Sequence, residues 1–94
     1  MDKPSTHIVK RTPGHSEPYD ERKLYASIYA ACLSVRTPVG EAELTAARLC
    51  SDMLPWLNTK TEITSGDIRR RAANHLKAYN PDAAFLYERH PISR

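Results

Sequence analysis

The side chains best suited to chemistry in this 94-residue sequence are cations near its start. Lys10 and Arg11 end a short apolar run, and Lys23 follows a helix-start signal at Asp20. A lysine is unfavourable in the first turn of a helix unless an anion binds the exposed amide groups there. Converging cations and amide donors are typical of a phosphate site.

Other charged residues could complete such a site. Glu17 lies on a predicted strand, where its carboxylate suits an amine or a hydroxyl better than a phosphate. Three consecutive arginines, residues 69–71, lie on a predicted helix, where successive residues are about 100° apart and cannot share a face. Of these, Arg69 is the one expected to face the strands. Each of these charges also has a simpler interpretation as a solvated surface group, since exposed ion pairs contribute little.

The sequence contains no motif for catalysis or for metal binding. HExxH, GxSxG and the P-loop signature are all missing. Cys32 and Cys50 form no CxxC pair and share no metal-ligand spacing with the histidines. We therefore expect a protein that is not an enzyme, with no metal centre and with two buried free thiols.

Composition and length set the broad class of protein. The net charge of +3 permits an anionic partner without requiring one. No apolar run approaches the roughly 18 residues of a membrane span, and no signal-peptide pattern follows Met1. These features favour a cytoplasmic protein without a membrane partner. We expect one domain over residues 7–90, a flexible N-terminus over 1–6 and a tail over 91–94.

Hydrophobic periodicity predicts a mainly α (α+β) fold, a four-helix bundle capped by a small two- or three-stranded β-sheet or hairpin. The predicted strands span 8–11 and 17–19, with a turn at 12–15 and a candidate third strand at 62–64. Helices are predicted over 20–35, from 41 to near 54, from 64 or 65 to 79, and over 82–89. Pro55 is expected to end the second helix early.

The order of these features resembles the ATP-cone domain, an allosteric nucleotide-binding domain of many ribonucleotide reductases and part of their zinc-ribbon transcriptional repressor. The resemblance covers residues 8 to about 90. It rests on Val9-Lys10-Arg11, a glycine turn, Glu17-Pro18-Tyr19-Asp20, Lys23-Leu24, Ser65-Gly66-Asp67-Ile68 and Ala83-Ala84-Phe85-Leu86-Tyr87. The turn is about one residue longer than in the family, and the zinc-binding cysteines of the repressor are missing.

The resemblance implies a regulatory domain, free-standing or excised from a longer protein, that binds ATP or dATP with Mg²⁺. Binding would be coupled to oligomerisation or to control of a partner such as ribonucleotide reductase. The implied nucleotide-binding residues are Val9, Lys10, Arg11, Glu17, Asp20, Lys23, Ser65 and Arg69. The alternative from the residues alone is a small helical nucleic-acid- or protein-interaction module without nucleotide binding, using residues 69–71.

Overall fold

The structure is a computed structural model that describes residues 7–9 and 16–89. Lys10, Arg11, the predicted turn and both predicted terminal segments lie outside the described residues. Within the described part, the elements are β1 (His7–Val9), β2 (Ser16–Pro18), α1 (Glu21–Ser34), α2 (Val39–Leu57), β3 (Glu62–Thr64), α3 (Ser65–Tyr79) and α4 (Pro81–Arg89). The mainly helical class with four helices is confirmed over these residues.

The three strands pair in the order β2-β1-β3. β1 pairs antiparallel with β2, where Ile8 is opposite Glu17, and both strands begin one residue earlier than predicted. β1 also pairs parallel with β3, where Val9 is opposite Thr64. The backbone of Val9 therefore lies beside the residue that precedes α3.

Local capping bonds start three of the helices where the sequence predicts them. The Asp20 carboxylate accepts a hydrogen bond from the Arg22 amide at 3.0 Å before α1. Thr64 accepts from the Asp67 amide at 3.0 Å, and Asp67 accepts from the Thr64 amide at 3.4 Å. This reciprocal capping box identifies Thr64, rather than Ser65, as the N-cap of α3. Asn80 accepts from the Ala83 amide at 3.1 Å before α4.

Helix α2 is longer than predicted, and the expectation that it ends near Leu54 is wrong. Pro55 lies on the exposed side of the helix, whereas Leu57 is fully buried. Burying a leucine contributes about 1.5–3 kcal/mol, and the partly buried Trp56 also packs against the core. Together these contacts offset the roughly 3 kcal/mol that an interior proline costs.

The core lies between the four helices, with α1 packed on α2 and α4, and α3 packed on α2 and α4. The largest fully buried side chains are Ile28, Leu49, Met53, Leu57, Leu76 and Cys32. Leu44, predicted to belong to the apolar stripe of α2, is instead 50% exposed. It lies about 200° around the helix from Ala42, which is buried. His75, predicted to lie in the core, is only half-buried.

Both cysteines are buried and free, as predicted. Burial raises the pKa of the Cys50 thiol to about 12, and Glu21 contributes in the same direction. A thiol with so high a pKa is protonated at neutral pH and is therefore a poor nucleophile. No helix among residues 16–89 is both long and apolar enough to cross a membrane.

Candidate functional site

The start of α1 positions two of the predicted site residues. Lys23 is exposed in the first turn. The amides of Lys23 and Leu24 donate to the Asp20 carbonyl, at 3.1 and 3.4 Å. The Asp20 carboxylate already accepts from the Arg22 amide and pairs with the Arg22 guanidinium, with 3.6 Å between Oδ1 and Nε. Asp20 therefore acts as the helix cap, one turn before Leu24.

Two more of the predicted site residues, Val9 and Ser65, lie near the start of α3. Ser65 is the first residue of the helix and is exposed, and the neighbouring Thr64 supplies the capping oxygen. Because Thr64 pairs with Val9 across the strands, Val9 and Ser65 lie close together. Glu17 lies on β2, on the far side of β1 from β3. Two strand spacings, about 10 Å, thus separate the backbone of Glu17 from that of β3.

Arg69 lies one turn into α3 and is half-buried. Burial raises the pKa of the Tyr87 hydroxyl, and the positive charge of Arg69 acts against this rise. This interaction means that Arg69 lies near Tyr87, on the side of α3 that faces α4. The expectation that Arg69 faces the strands stays a prediction, since its recorded interaction is with Tyr87 of α4.

Tyr87 connects α4 to α1 through a buried hydrogen bond. Its hydroxyl lies 3.1 Å from Ser27 Oγ, and Ser27 Oγ lies 2.8 Å from the Leu24 carbonyl. The Ser27 proton is directed at that carbonyl, so Tyr87 is the donor in the bond between the two hydroxyls. Ser27 lies one turn after Lys23 on α1, which brings Lys23 and Arg69 to the same end of the bundle.

A third hydroxyl at this end has no partner among the described residues. Tyr19 Oη is buried and makes no hydrogen bond within the part of the chain that the structure describes. Burial, followed by the influence of Cys50 and Glu21, raises its pKa far above the ordinary tyrosine value. We call Tyr19, Ser27 and Tyr87 the polar cluster. Sequence reasoning missed this cluster, although a buried tyrosine usually requires a hydroxyl partner, and that requirement was the available signal.

A second concave region lies on the other side of α3. It is a groove of about 380 Å³ between the end of α2, β3 and α3. We call it the Trp56 groove, and its lining residues are Trp56, Lys60, Glu62, Ile63, Asp67, Arg70, Arg71 and Asn74. The Arg71 guanidinium carbon lies 5.0 Å from the centre of the Trp56 ring. The sequence had indicated Arg70 and Arg71 as solvated charges or, in the alternative, as part of a nucleic-acid or protein interface.

No family model, curated protein or solved structure matches the chain. The resemblance to the ATP-cone domain therefore stays a prediction. Among residues 7–9 and 16–89, no group of three or more His, Cys, Asp and Glu side chains could hold a metal ion. The functional argument rests on the geometry of the bundle end and of the Trp56 groove.

Proposed function

We propose that this protein is a regulatory domain that binds an adenine nucleotide, ATP or dATP, where α1 and α3 begin. One observation carries the proposal. The charge of Arg69 on α3 acts on Tyr87, whose hydroxyl is bonded to Ser27, one turn from Lys23 on α1. Two cations from two helices thus border the same end of the bundle, next to the start of α1.

The triphosphate is the part of the nucleotide that these groups suit. The helix dipole favours negative charge at the start of α1. Lys23 and Arg69 add charge-assisted hydrogen bonds, which are stronger than those between neutral groups. Ser65 adds an exposed hydroxyl at the first residue of α3.

Magnesium is proposed to arrive with the nucleotide. Mg²⁺ keeps several water ligands and is usually held by substrate phosphates and one or two carboxylates. Asp20 and Glu21 are the carboxylates nearest to the start of α1. The described residues contain no preformed metal group, so the phosphates would supply the main ligands.

The three strands are proposed to form a cap over this end of the bundle. The pairing of Val9 with Thr64 joins β1 to the residue that caps α3. Lys10 and Arg11 follow β1 in the chain, and their charges would add to the phosphate site. A nucleotide that orders this cap would change its outer surface, and so a contact with a second copy or with a partner such as ribonucleotide reductase.

Titration calorimetry with ATP, dATP and GTP in the presence of Mg²⁺ tests the proposal. We expect binding of the adenine nucleotides, weakened about tenfold or more by Arg69→Ala or Lys23→Ala, because each removes a charged hydrogen bond. Arg48→Ala is the matched control, since it removes the same charge near Tyr79, at the other end of α3. Absence of binding at millimolar ATP and dATP would disprove the proposed function.

A further inference from the structure

The Trp56 groove combines an aromatic wall with an apolar floor. Ile63 is 7% exposed at its base, and the half-buried Trp56 packs against the core because α2 continues through Pro55. A volume of about 380 Å³ falls in the range of small-ligand sites. The groove can therefore hold one planar group, whereas a nucleic-acid duplex is far too large for it.

Positive charge predominates around this groove. Lys60, Arg70 and Arg71 face two carboxylates, Glu62 and Asp67. The Asp67 carboxylate is already used, since one oxygen accepts from the Thr64 amide and the other from Arg70 Nη1 at 3.2 Å. These bonds lower the pKa of Asp67. Asp67 thus positions Arg70, and the groove retains donors for an anion.

Arg71 is arranged to bind an anion next to a stacked ring. Its guanidinium carbon lies over the Trp56 ring, where the face of the ring attracts a cation. The N–H groups of a guanidinium lie in its plane, in a fork that fits a phosphate. Asn74 adds an amide with both donors and an acceptor, which suits the edge of a base.

We propose that the Trp56 groove binds single-stranded nucleic acid, with one base against the Arg71–Trp56 pair and the adjoining phosphates on Arg70, Arg71 and Lys60. Single-strand sites combine a cationic groove with an aromatic side chain, and bases also stack on arginine guanidinium groups. An acidic peptide could use the cations but offers no planar ring to stack on the Arg71–Trp56 pair. The inference does not depend on the proposed nucleotide site, because Asp67, Arg70, Arg71 and Asn74 lie on the side of α3 away from Arg69.

Trp56 provides the measurement, since it is the only tryptophan in the sequence. Titration with a short oligothymidylate should change the tryptophan fluorescence. The dissociation constant should rise with salt, with a log–log slope of about 2 for three phosphate contacts. Inorganic phosphate and polyglutamate should leave the emission unchanged. An unchanged emission with the oligonucleotide, or binding of polyglutamate with equal affinity, would overturn the proposal.

Anisotropy of a labelled oligothymidylate extends the test to variants. Trp56→Leu and Arg71→Gln should each weaken binding by about tenfold, since loss of one stacked base has an effect of this order. Arg48→Gln is the control with an equal charge loss, and it should bind as the unchanged protein does. Circular dichroism checks that each variant is folded. Equal weakening by Arg48→Gln would show a non-specific charge effect and overturn the proposal.

The two proposed sites are separated by competition. Saturating ATP or Lys23→Ala should leave the affinity for the oligonucleotide within about twofold, because neither acts on the groove. Competition by ATP would place the strand at the start of α1 and overturn the groove site. If the oligonucleotide binds and ATP does not, the groove proposal is supported and only the proposed nucleotide function fails.

Discussion

The two sides of helix α3 use the same residue type for different purposes. Arg69 faces the bundle end and lies near the buried hydroxyl of Tyr87. Arg70 and Arg71, its immediate neighbours, line an open groove, where one pairs with Asp67 and the other covers Trp56. Because successive residues turn by about 100°, three identical side chains meet different environments. Position around the helix, and not local charge, determines which chemistry each can perform.

The two sides also differ in what holds them together. Toward α4, the polar cluster is desolvated, so each hydroxyl either has a partner or destabilises the fold. Toward the groove, the ion pairs are exposed to water and contribute little. Changes in the groove, on the open side of α3, should therefore alter binding without unfolding the protein. Changes on the side that faces α4, which we call the closed side, should lower the stability of the fold first.

The largest contrast is expected between two α3 residues that are two positions apart. Leu76 is fully buried and Asn74 is exposed in the groove. Leu76→Ala should lower the free energy of unfolding by about 2–5 kcal/mol, because it removes buried contacts and leaves a cavity. Asn74→Ala should change it by less than about 0.5 kcal/mol. Urea unfolding measures both, and similar losses in the two variants would contradict the division of α3 into a closed and an open side.

Alkaline pH should destabilise the folded protein through its buried acidic groups, the Cys50 thiol and the hydroxyls of Tyr19 and Tyr87. The pKa of Cys50 rises from 9.0 to about 12 on folding. The unfolded chain therefore loses this proton first, and stability that is complete below pH 9 falls as the pH rises toward 12. One such group contributes a loss of about 1.4 kcal/mol per pH unit. Tyr19 and Tyr87, whose pKa values are also raised, add losses of the same sign above pH 10.

Urea midpoints measured from pH 8 to pH 11 check this expectation. Cys50→Ala is the control, since removing the thiol should make the decline shallower between pH 9 and pH 10, before tyrosine ionisation contributes. A stability that does not change across this range would show that these groups are accessible to water in the folded protein.

The helix starts could be predicted from sequence because their causes are local. The capping bonds of Asp20, Thr64 and Asn80 join residues that are two or three positions apart. The end of α2 could not be predicted in this way. It depends on the burial of Leu57 against other helices, and the local sequence around Pro55 does not indicate that burial.

The candidate sites also contain features with local causes, which sequence can indicate, and features that depend on contacts between distant residues. Lys23 and Arg69 could be proposed from charge next to a helix start, and their part in a site stays a prediction. The polar cluster could not, because Ser27 and Tyr87 are 60 positions apart and meet only when α4 packs on α1. The Trp56 groove depends on the last turn of α2, whose length the sequence did not predict correctly.

Two tyrosines of the polar cluster should respond in opposite directions when their hydroxyls are removed. Tyr87→Phe removes the donor to Ser27 and should destabilise the protein by about 0.5–1.5 kcal/mol. Tyr19→Phe removes a buried hydroxyl that has no partner among the described residues, so it should stabilise the protein by about 1 kcal/mol or more. Thermal unfolding compares them. Tyr79→Phe, whose hydroxyl bonds Asp52 at the surface, is the control and should have a smaller effect. A loss of stability in Tyr19→Phe would mean that its hydroxyl is satisfied.

The smallest effect is expected for the neighbours Arg69 and Arg70, where the two sides of α3 are compared directly. The Arg70 side chain is 75% exposed and its partner Asp67 is 45% exposed, so water screens their ion pair. Arg70→Ala should therefore change the free energy of unfolding by less than about 0.5 kcal/mol. Arg69→Ala should cost more, because its half-buried stem packs at the bundle end and its charge acts on Tyr87. Urea unfolding of both variants, each with the same loss of charge, isolates position around the helix as the variable. If Arg69→Ala and Arg70→Ala lower the free energy of unfolding equally, position around the helix does not determine what these arginines contribute. The contrast between the two sides of α3 would then be wrong.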